Sequence, residues 1–177
     1  MTSTKTRKIV MAALMAAMTC IATMVIQLPS PTGGYIHLGD GFVLLSGIIL
    51  GPIYGGASAG IGSMLADLLS GYGVYAPATL VIKALAAVIG SIVYYSLSHT
   101  LFKSKSKFVP VIAAGISGGI VVTVGYLIFE SFILGNGFAA AIVGVPANIV
   151  QNLFGIVVSS FLLPFLFKIP IIKELMN

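Results

Sequence analysis

Four charged residues lie inside or beside very apolar segments of this chain, and they are its first candidates for chemistry. They are Asp40, Asp67, Lys83 and Glu130. A charged side chain in membrane hydrocarbon costs roughly 2.5–3.5 kcal/mol on insertion scales, so such residues usually face a polar cavity or a partner. Asp67 and Lys83 are expected at similar depth. They are predicted either to form an ion pair or to contact a ligand, and both alternatives stay open.

Uncharged polar residues form a second candidate group near the end of the chain. They are Asn148, Gln151 and Asn152. Their i, i+3, i+4 spacing places them on one helical face, which predicts hydrogen bonds to a solute or between helices. Tyr35 and His37 lie in a polar segment just before Asp40 and are expected to close over a bound solute. No metal site is predicted, because nothing completes a coordination sphere around His37 and Asp40.

The elements that position these residues must be membrane helices. The sequence is 58% hydrophobic and 7% charged, with a mean hydropathy of +1.12, which favours a bilayer over water as its solvent. The net charge of +5 comes from basic residues that flank apolar segments, a pattern that does not indicate nucleic-acid binding. The single cysteine, Cys20, excludes an internal disulfide. The sequence contains no catalytic set, so we do not expect the chain to be an enzyme, and no cofactor is predicted.

Hydropathy predicts one all-α membrane domain, residues 1–177, with six transmembrane helices. The spans are predicted at about 9–28, 41–54, 55–71, 78–101, 109–134 and 141–167. The second and third are short and separated by the turn signal Gly-Pro-Ile-Tyr-Gly-Gly, so a re-entrant pair is the alternative. With six spans, all basic residues outside the spans fall on the side of the two termini, including the tract 103–107. Because positive loops are cytoplasmic, both termini are expected in the cytoplasm and every candidate polar group in the outer half.

Small residues on the first helix suggest a packing face. Ala12 and Ala16 form one small-x-x-x-small pair, and Ala13 and Ala17 form another. Such pairs permit close approach of two helices. Packing inside this chain and docking to another membrane protein are both possible uses of this stripe.

The first half of the chain resembles the substrate-binding S components of energy-coupling factor (ECF) vitamin transporters. The resemblance rests on the segments YIHLGDG (35–41), LGPIYGG (50–56), GIGSMLADL (60–68) and PATLVIKA (77–84). It implies a subunit that binds a vitamin at its outer end under a loop in a bacterial cell membrane. It also implies docking through the alanines of the first helix onto a membrane coupling subunit that carries two ABC ATPases. The chain has no phosphate-binding Gly-x-x-x-x-Gly-Lys-Ser/Thr motif, so ATP hydrolysis is expected on those partners.

The sequence does not name the vitamin. Within the ECF group the resemblance is to the hydroxymethylpyrimidine, pyridoxine or riboflavin-type branch, and the absence of tryptophan argues against a thiamine-type pocket. The candidate side chains are mostly hydrogen-bond acceptors, which favours a ligand with N–H and O–H donors such as hydroxymethylpyrimidine or pyridoxine. S components for riboflavin or pantothenate are alternatives. A small secondary transporter is a more distant one, although it should show an internal repeat.

Overall fold

The computed structural model describes residues 4–30, 35–100 and 108–176, and these residues form an α-helical bundle with one small hairpin. The lysine tract 103–107 lies outside the described residues. The long helices are α1 (Thr4–Val25), α2 (Asp40–Leu69), α3 (Ala76–Thr100), α4 (Phe108–Ile128) and α6 (Val145–Leu166). Shorter elements are a π-helical turn (Phe129–Ile133), α5 (Phe138–Ala141), a 3-10 turn (Ile142–Gly144) and α7 (Pro170–Met176). The strands β1 (Gln27–Pro29) and β2 (Tyr35–His37) pair antiparallel.

Helix α2 contains both of the short predicted spans, and the chain reverses direction inside it. Gly51 has φ 77° and ψ −179°, and Pro52 follows it. A Cβ atom added to Gly55 would lie 2.6 Å from the Cα of Gly47. In a straight helix, residues eight apart are about 12 Å apart along the axis. The two arms of α2, residues 40–50 and 52–69, therefore pack against each other, and glycine at these positions permits that contact.

Five stretches of the described residues are long and apolar enough to cross a membrane. They are Thr4–Val25, Asp40–Leu69, Ala76–His99, Phe108–Ile133 and Phe138–Leu166. Large apolar side chains face outward along them, with Val10, Ile120 and Phe161 each more than half exposed. A surface of this kind suits lipid rather than water.

Different elements of the chain lie at the two ends of the bundle. At one end Arg7 of α1 donates to Glu174 of α7 at 2.5 Å, so the two described termini meet there. Near this end Ile172 and Leu175 of α7 pack into the core with Leu50 of α2. At the opposite end lie the β-hairpin, the end of α2 at Leu69, the start of α3 and the π-helical turn. This second end collects most of the predicted polar residues.

Candidate functional site

The β-hairpin lies over the second end of the bundle and is held by three side-chain contacts. The amide of Gln27 donates to the hydroxyl of Ser70 at 2.8 Å. The hydroxyl of Tyr35 donates to Oδ1 of Asp67 at 2.7 Å, and the backbone N–H of His37 donates to Oε1 of Gln151 at 3.0 Å. The hairpin is thus fastened to both α2 and α6.

A cavity of about 40 Å³ lies beneath this hairpin. Its lining comprises Ser30, Tyr35, Ile36, His37, Asp67, Tyr72, Tyr75, Thr79, Tyr126, Glu130, Ala147, Asn148 and Gln151. Six of the predicted site residues are among them. Pockets for small ligands typically measure roughly 300–1,000 Å³. A ligand of that size therefore fits only if side chains around the cavity shift, and the four tyrosines of its lining are the bulkiest of them.

Asp67 is the acidic centre of one cavity wall. Tyr35 donates to its Oδ1, and the ring of Tyr35 stacks beside Tyr72 with centroids 4.5 Å apart. Oδ2 of Asp67 is buried and accepts no hydrogen bond of normal geometry from the described residues, although the Thr79 hydroxyl lies near enough to act on this carboxylate. A buried acceptor without a donor costs about 1–3 kcal/mol. Asp67 can regain that energy by accepting a hydrogen bond from a ligand.

Glu130 also lines the cavity and sits in the π-helical turn at the end of α4. It is 4% exposed. Burial, together with the neighbouring Glu130 carboxylate, raises the pKa of Tyr75 to about 12. The Tyr75 ring also meets Phe129 edge-on, with centroids 5.4 Å apart. π-helical turns frequently occur at functional sites because they redirect one side chain out of the helical repeat.

The prediction that Lys83 pairs with Asp67 is wrong, because Lys83 forms its salt bridge with Asp40. The Lys83 side chain is fully buried and the Asp40 side chain is 7% exposed. The first arm of α2 begins at Asp40, directly after the hairpin, which brings this carboxylate to Lys83. Neither residue lines the cavity, so their predicted direct contact with substrate is not supported by this geometry.

Gln151 connects this ion pair to the hairpin. Its Nε2 donates to Oδ2 of Asp40 at 2.9 Å while its Oε1 accepts from the backbone of His37. Nδ1 of His37 accepts from the N–H of Gly39 at 3.0 Å, so the proton of the neutral ring is on Nε2. Burial, assisted by the charge of Lys83, lowers the pKa of His37 to about 3. His37 therefore offers a hydrogen-bond donor to the cavity at neutral pH.

The three residues of the predicted polar face of α6 do not all line the cavity. Asn148 and Gln151 line the cavity. Asn152 instead donates from Nδ2 to the carbonyl of Gly119 at 2.9 Å and to the hydroxyl of Thr123 at 3.0 Å, both on α4. With both amide hydrogens used in this way, Asn152 joins two helices, and its predicted contact with substrate is not supported.

The two alanine pairs of α1 differ in their burial. Ala12 and Ala16 are partly buried against the bundle, and a Cβ added to Gly62 of α2 would lie 2.3 Å from the carbonyl oxygen of Ala16. Ala13 and Ala17 are exposed. Packing within the chain thus accounts for the first pair, while the second remains available to a partner.

Several cavity residues were missed at the sequence level. They are Ser30, Tyr72, Tyr75, Thr79 and Tyr126. Tyr72 and Tyr75 lie between two apolar segments, where tyrosines often belong to the aromatic belt at a membrane interface, so their positions alone do not distinguish a belt from a ligand contact. Tyr126 lies four residues before Glu130 and Thr79 four before Lys83, so the i, i+4 rule applied to those charged residues would have found them. The hydroxyls of Thr79 and Tyr126 are 2.9 Å apart.

Comparison with known proteins agrees with this architecture. The family model for the ECF-type riboflavin transporter, S component, matches residues 3–168. A curated relative from Pyrococcus woesei, described as an uncharacterized protein in a gap 3′ region, is 33% identical over 139 residues, which is 78% of this chain and 86% of the relative. A solved structure described as the S component of a bacterial ECF transporter matches with a TM-score of 0.68 and 19% identity. That match covers 93% of this chain and 97% of the other, and it supports the fold. The chain therefore belongs to the family of ECF-type riboflavin transporter S components, which are membrane-embedded subunits of vitamin importers.

Proposed function

We propose that the cavity beneath the β-hairpin binds a small heteroaromatic vitamin or vitamin precursor, with hydroxymethylpyrimidine or pyridoxine favoured. The observation that carries this proposal is the set of acceptors that converge on one cavity. Asp67 supplies a buried Oδ2 that accepts no hydrogen bond of normal geometry from the described residues, and Glu130 and Asn148 also line the cavity. Such a site suits a heterocyclic ring that carries amino or hydroxyl donors, and the aromatic rings of Tyr35 and Tyr72 offer surfaces on which it can stack.

Riboflavin is the second candidate, because the family model that matches the chain carries that description. Its three-ring system requires a larger displacement of the tyrosines than a single pyrimidine or pyridine ring does. Pantothenate is less favoured, since its carboxylate would need a free cation and Lys83 is paired with Asp40. The Nε2 donor of His37 is the group that could serve ring nitrogens or carbonyls in any of these ligands.

The binding test is calorimetry on the purified chain in detergent with four ligands in parallel: hydroxymethylpyrimidine, pyridoxine, riboflavin and pantothenate. We expect tight binding of one of the first two. Asp67→Asn removes the negative charge but keeps the shape, and it should weaken that binding about ten- to a hundredfold. Ser63→Ala, which removes a buried hydroxyl of α2 outside the cavity lining, is the matched control. Binding of pantothenate alone, or no binding of any of the four, would contradict the proposal.

We further infer that each arm of α2 crosses the membrane, so that the chain has six spans and both termini in the cytoplasm. The reversal at Gly51 and the contact of Arg7 with Glu174 support an even number of crossings. The basic residues at the termini set the orientation. Labelling of intact cells with a membrane-impermeant maleimide tests it, because the native Cys20 is buried. The maleimide should label Asn136→Cys and should not label Lys173→Cys. The reverse result would mean that both termini lie outside the cell.

Delivery of the vitamin is proposed to require a membrane coupling subunit that carries two ABC ATPases, docked on the Ala13 and Ala17 face of α1. Both alanines are exposed, whereas Ala12 and Ala16 face the bundle. Uptake into vesicles should therefore depend on ATP and on the coupling module. Uptake by the chain alone, driven by an ion gradient, would instead favour the secondary-transporter alternative.

A further inference from the structure

A second cavity lies near the end of the bundle that holds the two described termini. It measures about 510 Å³ and is bounded by α4, α6 and α7. Its walls are mostly apolar, being formed by Phe108, Val111, Leu163, Pro164 and Phe167. This cavity is separate from the hairpin cavity, with which it shares no lining residue.

Two lysines border this apolar space. Lys168 follows the end of α6 and Lys173 lies on α7, and both side chains are exposed. Neither forms a salt bridge with an acid among the described residues, and the neighbouring Glu174 is paired with Arg7. Nζ of Lys168 lies 5.4 Å from the ring centroid of Phe165, which places the cation beside the outward apolar surface of α6. The mouth of the cavity is therefore positively charged.

The cavity is built into the local backbone. Pro164 lies inside α6 and has no N–H to offer the carbonyl of Ser160, which interrupts the helical hydrogen bonding at this point. The hydroxyl of Ser160 is also buried without a partner among the described residues. On the other side α7 is held in place by Ile172 and Leu175, which are 4% and 7% exposed. Lys173 is consequently fixed on an anchored helix and not on a free tail.

We propose that this cavity binds one anionic phospholipid, with an acyl chain in the apolar space and the phosphate between Lys168 and Lys173. In a bilayer an acyl chain gains little by leaving other chains, so apolar contact alone would not select a lipid. Charge does select, because basic pockets between membrane helices recognise acidic headgroups. The combination of an apolar space with two cations at its mouth matches the two parts of a phospholipid.

Native mass spectrometry of the purified full chain tests the proposal with two lipids of equal chain length, dioleoyl-phosphatidylglycerol and dioleoyl-phosphatidylcholine. We expect one bound phosphatidylglycerol per chain and much weaker binding of phosphatidylcholine. Each lysine near an acidic lipid contributes about a fivefold factor, so the double variant Lys168→Gln/Lys173→Gln should weaken binding roughly twenty- to thirtyfold. Ser160→Leu places extra apolar volume in the cavity wall and should also lower occupancy.

The matched control is Lys5→Gln/Lys8→Gln, which makes the same charge change on α1, at the same end but outside the cavity lining. It should leave phosphatidylglycerol binding within about a factor of two. Equal binding of the two lipids by the unmodified chain, or an equal loss in both double variants, would overturn the proposal, because either result means diffuse attraction to the membrane. Competition by glycerol phosphate without acyl chains would likewise overturn it, since the apolar space would then play no part.

Discussion

Replacing Lys83 by methionine removes the cation that neutralises Asp40 and keeps a side chain of similar length. Lys83 is fully buried and Asp40 is 6% exposed, so water cannot screen the charge that remains. Breaking a buried ion pair in this way typically costs about 3–5 kcal/mol. Asp40→Asn leaves the ammonium group uncompensated and should cost a comparable amount. The double variant leaves no isolated charge and should cost far less than the sum, so we expect a coupling energy of roughly 3 kcal/mol or more.

The single cysteine of the chain provides the assay. Cys20 is buried in α1 and becomes reactive to a thiol dye when the bundle opens, so the dye reports thermal unfolding in detergent. For a chain of this size, a loss of 3–5 kcal/mol corresponds to a fall in Tm of roughly 6–20 °C. Each single variant should fall within that range, and the double variant should lie much closer to the unmodified chain.

A second double-mutant cycle, with Asp67→Asn in place of Asp40→Asn, tests which of the two carboxylates is the ion-pair partner of Lys83. Lys83 forms no salt bridge with Asp67 in the described residues and acts on its carboxylate only through longer-range electrostatics, so Asp67→Asn and Lys83→Met should couple much more weakly than Asp40→Asn and Lys83→Met. Additive effects for Asp40 with Lys83, together with strong coupling for Asp67 with Lys83, would refute the assignment made from the structure.

Three further predictions concern other parts of the molecule. The pKa of His37 is about 3 in the folded chain and about 6.5 when unfolded, so the unfolded state binds more protons between these values. The free energy of unfolding should be highest above pH 6.5 and fall by up to about 1.4 kcal/mol per pH unit below it. His37→Gln should flatten this pH dependence, and an unchanged pH dependence would contradict the lowered pKa of His37. Asn148→Ala should weaken vitamin binding about tenfold or more, whereas Asn152→Ala should lower Tm and leave affinity unchanged in calorimetry; the opposite pattern would place the site on the α4 side. Ala13→Leu should abolish ATP-dependent uptake while the isolated chain still binds vitamin, and normal uptake would exclude this face as the docking surface.

The α-helical membrane character of the chain follows from the sequence because hydropathy is a strong signal in membrane proteins. Asp67, Glu130, Asn148 and Gln151 were expected to share one end of the bundle, and they line one cavity. The partner of Lys83 was not predictable in the same way. Its choice depends on where the first arm of α2 begins, and that point is set by the pairing of β1 with β2. Three-residue strands leave too weak a pattern to be predicted in an apolar chain.

The polar residues of α6 make different contacts, which shows why helical spacing alone does not identify the residues of a binding site. Residues three and four apart from Asn148 share its face only approximately, because successive residues turn by about 100° and Gln151 and Asn152 therefore diverge by that angle. Gln151 consequently reaches Asp40 and the hairpin, while Asn152 reaches Gly119 on α4. Which direction meets a cavity depends on where the neighbouring helices stand. Gly119 allows α4 to approach closely, since a Cβ added there would lie 3.0 Å from the Asn152 side chain. That approach uses the amide hydrogens of Asn152 and leaves Asn148 and Gln151 as the polar α6 side chains that line the hairpin cavity.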